Sequence, residues 1–247
     1  MGLKLGKHPP LFDTRTIRFG DYVKAELPPP PASHNYGSKV PAWPMYANDK
    51  YGDCTCAAAG HMIQNWTANA GTEITPTESS VVGFYEHFVG TPPPPDEGCN
   101  MLQVLKYWRR TGLGGHKVQA FASVEPKSLV EAQDAVYLLG SLYIGVALPN
   151  FAVQGKMLTV PWVVPPGEAV GNAAPNPENG HCIPAVAYDA RNLYVVTWGE
   201  LKSMSWQFYD AYADEAYAVL GKDFLEASGD TIAGFDLAAL QADIAKL

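Results

Sequence analysis

Helix signals fill the first half of this chain and strand signals fill the second, and that order restricts the fold more than any single motif does. In the first half the signals are caps. Thr75-Pro76-Thr77-Glu78 joins an N-cap, a proline at the first helical position and a capping-box acid. It predicts a helix reaching about Val89, before Pro92 to Pro95 breaks it. Asn100 caps a second helix, with Leu102, Leu105 and Trp108 at helical spacing and Gly112 as its stop. Ser128 with Glu131 opens another, which runs to Leu139. In the second half, short apolar or alternating runs take over at 142–148, 183–188, 193–198, about 203–208 and 215–219, and Asp189-Ala190-Arg191-Asn192 makes the turn between two of them. Helices first and sheet second predict an α+β architecture of two lobes with a ligand cleft between them. The helical lobe spans about 41–139 and an antiparallel sheet or barrel lobe about 140–225. Residues 226–247 follow as a C-terminal segment in which Phe235 to Leu247 reads as a helix capped by Asp236.

Composition narrows the partners. At 247 residues, 47% of them hydrophobic, the chain has enough apolar surface for a full core without metal or disulfides. A formal net charge of −8 and the lack of any basic run argue against a nucleic-acid partner. No 18-residue apolar stretch suits a membrane span, and Met1 to Pro10 lacks the apolar segment of a signal peptide. Gly6 stands where a myristoylation signal needs Ser or Thr. A cytoplasmic or otherwise non-secreted product is therefore expected, with a virion-associated one as a second reading. None of these signals encodes the oligomeric state. No cofactor is expected. No metal site is expected either, because the one adjacent ligand pair, His181-Cys182, sits on a strand where neighbouring side chains point to opposite faces. Pro28 to Pro31 make residues 1–40 an extended Pro-rich arm lying over the domain. The loop 152–178 holds Pro161-Trp162 and precedes His181, so it is expected to form one rim of the cleft.

The chemistry is carried by two residues. Residues 46–59 form a polar Gly-containing loop that runs into a small-residue helix, with Asp53 as N-cap and Cys54 in the first turn. There the unpaired N–H groups and the positive end of the helix dipole favour a thiolate, although the Asp53 carboxylate opposes them. His181 opens a strand, so a thiol on a helix start faces an imidazole on a sheet. Cys56 is the rival nucleophile, rotated about 200° from Cys54 at 3.6 residues per turn. His61 lies too far along the same helix to act as the base and reads as a core or helix-surface histidine.

The order of these groups resembles the papain-like cysteine peptidases. His181 follows Cys54 by 181 − 54 = 127 residues, close to that family's interval of roughly 130–150. Asn48 stands six residues before Cys54, where the family keeps a Gln that donates to the oxyanion. Glu97-Gly98-Cys99-Asn100 resembles the family's Gly-Cys-Asn-Gly-Gly segment, Leu142 to Pro149 its first sheet strand, and His181 to Tyr188 the strand carrying the catalytic His. Val196-Thr197-Trp198-Gly199 resembles Asn-Ser-Trp-Gly, so the family's Asn falls on Val196, and Thr197 is the nearest hydroxyl to take the imidazole N–H. The bulky residue that the family keeps after the nucleophile is absent. The family often bridges the regions of Cys54 or Cys56 and Cys99, whereas four cysteines without regular spacing fit reduced thiols. Precursors in this family carry an N-terminal segment that occludes the cleft, longer and more helical than residues 1–40.

The resemblance implies a two-lobed peptidase of divergent bacterial or phage type, acting on a peptide or protein substrate. Cys54 would be the nucleophile, His181 the base and then acid, Asn48 an oxyanion donor and Thr197 the orienting group, with Trp198 and Trp162 contacting substrate. Two other readings stand beside it. One is a catalytically silent papain-like binding or structural protein, supported by Val196; the other is transglutaminase-like acyl transfer to an amine.

Overall fold

The computed structural model describes residues 3–23, 29–155, 161–167 and 170–224. The helix expected over Phe235 to Leu247 lies outside them. Four helices precede most of the sheet: α1 (Cys54–Ala70), α2 (Glu78–Val89), α3 (Met101–Arg110) and α4 (Leu129–Leu139). Small residues explain how α1 comes to lie in the middle, since Ala57, Ala58, Ala59 and Gly60 let neighbours approach its backbone and every side chain from Cys54 to Ala68 is buried. A Cβ on Gly60 would come within 2.9 Å of the Tyr46 ring. Left-handed Gly71 (φ 111°) ends the helix.

Caps set the other helix starts. Asn100 accepts from the Leu102 and Gln103 N–H groups, and Ser128 accepts from Glu131 N. For α2 the cap is Thr77 rather than Thr75, with its hydroxyl accepting from Ser80 N. The helix therefore begins two residues later than the sequence pattern suggested, where the Thr77 hydroxyl reaches the Ser80 N–H.

The strands form one antiparallel sheet in the order β2-β7-β3-β4-β5-β6, with β1 (His34–Asn35) paired to β4. Their spans are β2 Val118–Val124, β3 Leu142–Ala147, β4 Gly180–Tyr188, β5 Asn192–Thr197, β6 Glu200–Ser205 and β7 Ala213–Gly221. Strands β3 and β4 are buried at every residue, as their unbroken apolar runs require. Besides the two-residue β1, two elements escaped the sequence reading. Strand β2 alternates buried and half-buried residues, but two of its four inward positions are alanines, Ala120 and Ala122, which weakens the period-two signal. The run expected as a strand over 203–208 ends at Ser205. That hydroxyl accepts from Phe208 N and starts α5 (Trp206–Tyr212), whose aromatic residues had the composition of a strand.

One apolar core fills the space around the sheet, α4 and α5, and a second surrounds α1, α2 and α3. Trp66 helps to join the two halves: its Nε1 donates to Leu139 O at 2.8 Å, and its ring stacks on Trp108 with centroids 5.7 Å apart. Tyr143 on β3 donates to Thr55 O at 2.8 Å, which fixes the first turn of α1 against the sheet, and α1 packs along β4. The helix start and the start of β4 are thereby brought together. No helix among the described residues is long and apolar enough to cross a membrane.

Candidate active site

Cys54 and His181 line one small cavity of about 10 Å³, with Asn48, His61, Val196, Thr197 and Trp198 among its other walls. The first turn of α1 holds the thiol, and the second residue of β4 holds the imidazole. Thr197, at the end of the neighbouring strand β5, hydrogen-bonds His181 Nε2 through its Oγ1 at 2.7 Å. Trp198 stacks on the imidazole with centroids 4.4 Å apart and planes 15° from parallel. The ring is thus fixed at one nitrogen and on one face. Its Nδ1 is buried without a hydrogen-bond partner, which leaves that nitrogen for the thiol but means that the two are not hydrogen-bonded in this closed arrangement.

Backbone strain gathers at the same place. Tyr46 (φ 54°), Ala47 (φ 66°) and Trp198 (φ 47°) are the non-glycine residues with positive φ among those described. The first two shape the loop before Cys54, and the third turns the chain after Thr197. Such conformations cost roughly 1–3 kcal/mol each and persist where surrounding packing enforces them.

Burial keeps both reactive groups neutral. It raises the Cys54 thiol, against the pull of the Cys182 backbone N–H, and it lowers His181 to about 3, with the Lys202 charge acting in the same direction. Asp53 stands at the N-cap position, but its side chain makes no cap hydrogen bond. Burial raises its carboxyl well above the usual range, so the repulsion expected from this neighbour is diminished. His61 hydrogen-bonds Pro44 O through Nε2 at 2.8 Å and is lowered by burial to about 4, so it is a satisfied core histidine rather than a base. Its unfolded form binds a proton below about 6.5, and its folded form only near 4, so it favours folding above that window and loses this contribution as the pH falls through it. His61→Gln should flatten the acid loss of stability between about pH 6.5 and 4, by at most about 1.4 kcal/mol per pH unit, measured by urea unfolding of both proteins across that range. Parallel curves would contradict this.

Other sequence expectations fare differently. Asn48 faces the cavity, but its Nδ2 donates to Tyr51 O at 3.2 Å, so the amide expected to serve the oxyanion is engaged within its own loop. Trp162 is not on the rim of the cavity. It is fully buried, stacked on Phe208 and edge-on to Trp198, because its backbone N–H and C=O pair with Ser203 and Ser205 and draw it into the core of the sheet lobe. Cys56 points to Cys99, with sulfurs 4.0 Å apart, and all four cysteines are free. Among the described residues no group of three His, Cys, Asp or Glu side chains gathers as a metal site.

The feature that sequence reasoning missed is the path of residues 3–8. Lys4 N donates to Asn48 O, and Trp198 Nε1 donates to Lys4 O at 2.9 Å. The Gly6 and Lys7 N–H groups both reach Gly180 O, the carbonyl just before His181. On the other side Cys99 N donates to Gly6 O, and His8 N donates to Cys99 O. An extended peptide therefore runs between the helical lobe and the sheet lobe, paired to both, beside the Cys54 cavity. Glycines make the passage. A Cβ on Gly98 would meet Gly6 O at 1.8 Å, one on Gly6 would meet Gly52 O at 2.0 Å, and one on Gly180 would meet Lys7 O at 2.1 Å. These glycines are spread from residue 6 to residue 180, and nothing in the linear sequence relates them.

No family model matches the chain, and no curated protein matches its sequence. Solved structures do. Xylellain, a cysteine protease from Xylella fastidiosa, is 14% identical, with a TM-score of 0.65 over 87% of this chain and 95% of that one. The chain has a papain-like fold. A digestive procathepsin L 3 of Tenebrio molitor is 10% identical, with a TM-score of 0.60 over 88% of this chain and 76% of the other. The Carica candamarcensis cysteine protease CMS1MS2 is 13% identical, with a TM-score of 0.55 over 77% and 98%.

Within this papain-like fold, the local departures read from the sequence take on physical form. Val196 is buried beside the cavity and offers the imidazole no polar atom, while its neighbour Thr197 makes the hydrogen bond instead. After Cys54 the chain continues with Thr55, whose backbone carbonyl accepts from Tyr143 and whose hydroxyl lies 2.8 Å from Cys99 Sγ.

Proposed function

We propose that this papain-like chain is a cysteine-dependent peptidase or amidase held in a closed state by its own N-terminal segment. The observation that carries the reading is His181, locked by Thr197 at Nε2 and by Trp198 on one face, with an unpartnered Nδ1 in the cavity it shares with the Cys54 thiol. In the open state, Nδ1 takes the thiol proton and the sulfur attacks the substrate carbonyl carbon. The Cys54 backbone N–H at the start of α1 stabilises the oxyanion, and so does the Asn48 amide once it turns from Tyr51 O. The imidazolium then gives its proton to the leaving amine as the C–N bond breaks, leaving a thioester. Water, deprotonated by the same imidazole, hydrolyses the thioester and restores the thiol.

Thr197 is the orienting group in this scheme. A neutral hydroxyl holds the ring less firmly than a buried carboxylate, so Thr197→Val should lower kcat by about tenfold to a hundredfold, with KM little changed, for any peptide that the enzyme accepts. Thr197→Ser should restore most of the loss. An unchanged kcat in the valine variant would show that Trp198 packing alone holds the ring.

The silent-binder reading is supported by a specific observation, the cleft already filled by residues 3–8. Turnover of a fluorogenic peptide mixture, compared between the chain and its Cys54→Ala variant, separates the two. Cys54-dependent turnover supports the peptidase, and equal background rates support the binder. Added amine that diverts the product to an amide would favour acyl transfer instead.

A further inference from the structure

Lys7 is the arm residue whose burial needs explaining. A lysine side chain that is 1% exposed is costly unless paired, and this one is paired with two carboxylates: Nζ lies 2.9 Å from Asp214 Oδ2 and 3.3 Å from Glu215 Oε1. Nζ also donates to His8 O at 3.1 Å. The acids sit at the start of β7, and Gly145 on the adjoining strand β3 leaves room for the lysine stem, since a Cβ there would lie 2.6 Å from Lys7 Cε. The pocket is thus cut into the sheet lobe beside Cys182, the residue after His181, whose register partner on β3 is Gly145. It is reached from the slot in which the arm backbone pairs with Gly180 and Cys99.

The lysine does not exhaust this pocket. Asp214 Oδ1 is buried without a hydrogen-bond partner, Glu215 Oε1 has only the long ion-pair contact with Lys7, and Glu215 Oε2 accepts from Tyr217 at 3.1 Å. Two carboxylates around one ammonium, one of them with an unpartnered buried oxygen, form a site with acceptor capacity to spare. A guanidinium, planar and carrying five donors, matches that capacity better than a point-charge ammonium does.

We infer that the Asp214–Glu215–Gly145 pocket is a specificity pocket for a basic side chain of the bound peptide, that the arm fills it with Lys7 as a stand-in, and that arginine fits it better than lysine. The inference rests on the peptidase reading for its biological sense, but its test does not. In the full-length Lys7→Glu chain the arm is repelled from the pocket, which leaves the slot open to an added peptide. The probes are fluorescein-labelled synthetic peptides spanning residues 3–10, carrying Lys, Arg, Leu or Glu at the position of Lys7, with affinity read by fluorescence anisotropy.

The lysine peptide is expected to bind about thirtyfold or more tighter than the leucine peptide, as for loss of one member of a buried charge pair. The arginine peptide should bind at least as tightly as the lysine one, and the glutamate peptide should not bind measurably. Adding Glu215→Gln should shrink the preference for a basic residue. Because Glu215→Gln carries a risk of misfolding, Asp214→Asn provides a second route: its side chain is 25% exposed, so removing its charge should shrink the preference for a basic residue while leaving the melting temperature high. Equal affinities for the lysine and leucine peptides would overturn the inference, and so would a basic preference that survives both pocket variants. A basic preference without Cys54-dependent turnover would refute the peptidase reading and leave the pocket standing. Turnover without any basic preference at cleavage sites would do the reverse.

Discussion

Cys54→Ala is expected to remove turnover by about a thousandfold or more, because loss of the nucleophile of a catalytic pair leaves only binding and oxyanion stabilisation. His181→Ala should fall by a similar factor, and the double variant should be little worse than either single one, since the two side chains act as one unit. Cys56→Ala is the control: its thiol faces Cys99 inside the helical lobe, away from the imidazole, so the rate should stay close to that of the parent. The measurement is kcat/KM on a fluorogenic peptide for the parent and the four variants. Loss of activity in Cys56→Ala with retention in Cys54→Ala would transfer the nucleophile to the rival cysteine.

The second large effect concerns the arm. Lys7→Glu sets a third carboxylate against Asp214 and Glu215, and like charges at such distances in a dehydrated pocket cost several kcal/mol. The rest of the arm is held by backbone hydrogen bonds to Asn48, Gly180 and Cys99 and by the Lys4 ion pair with Asp96, which is exposed and so contributes little. Release of the arm should raise kcat/KM for an added peptide by about tenfold or more and make the first residues of the chain susceptible to limited proteolysis. It should also return water to the cavity. That relieves the burial that holds His181 near 3 and Cys54 high, so the thiol becomes easier to ionise. An arm that becomes protease-sensitive with no gain in rate would contradict the closed-state account.

The sequence and the structure agree where a local rule decides the outcome. Asn100 and Ser128 cap where their side chains reach the next N–H groups, and Cys54 begins a helix because a Gly-containing loop meets a run of alanines. The fully buried strands β3 and β4 were legible as unbroken apolar runs, and His181 was legible as the first polar group of one of them. Thr197 was reachable as the hydroxyl beside the eroded Val196 position, and it makes the hydrogen bond.

What was not legible depends on partners distant in the chain. Trp162 looks like a rim residue in a Pro-rich loop until the pairing of its backbone with Ser203 and Ser205 turns it inward. Asn48 has the spacing of an oxyanion donor, but Tyr51 O, in its own loop, takes its amide. Lys7 has no local signal at all. Its meaning comes from Asp214 and Glu215, more than two hundred residues away, and from glycines at 98, 145 and 180 that clear its path. A periodicity argument cannot see such a site, because each contributing residue is unremarkable within its own element.

The central claim is that Cys54 is the thiol activated by His181, and limiting iodoacetamide with mass mapping of the adduct tests it most directly. In the full-length Lys7→Glu chain, label should appear at Cys54 before Cys56, Cys99 or Cys182, and adding His181→Ala should slow that labelling without altering the slow reaction of the other three. Labelling spread over all four cysteines, or an unchanged Cys54 rate after His181 is removed, would contradict it.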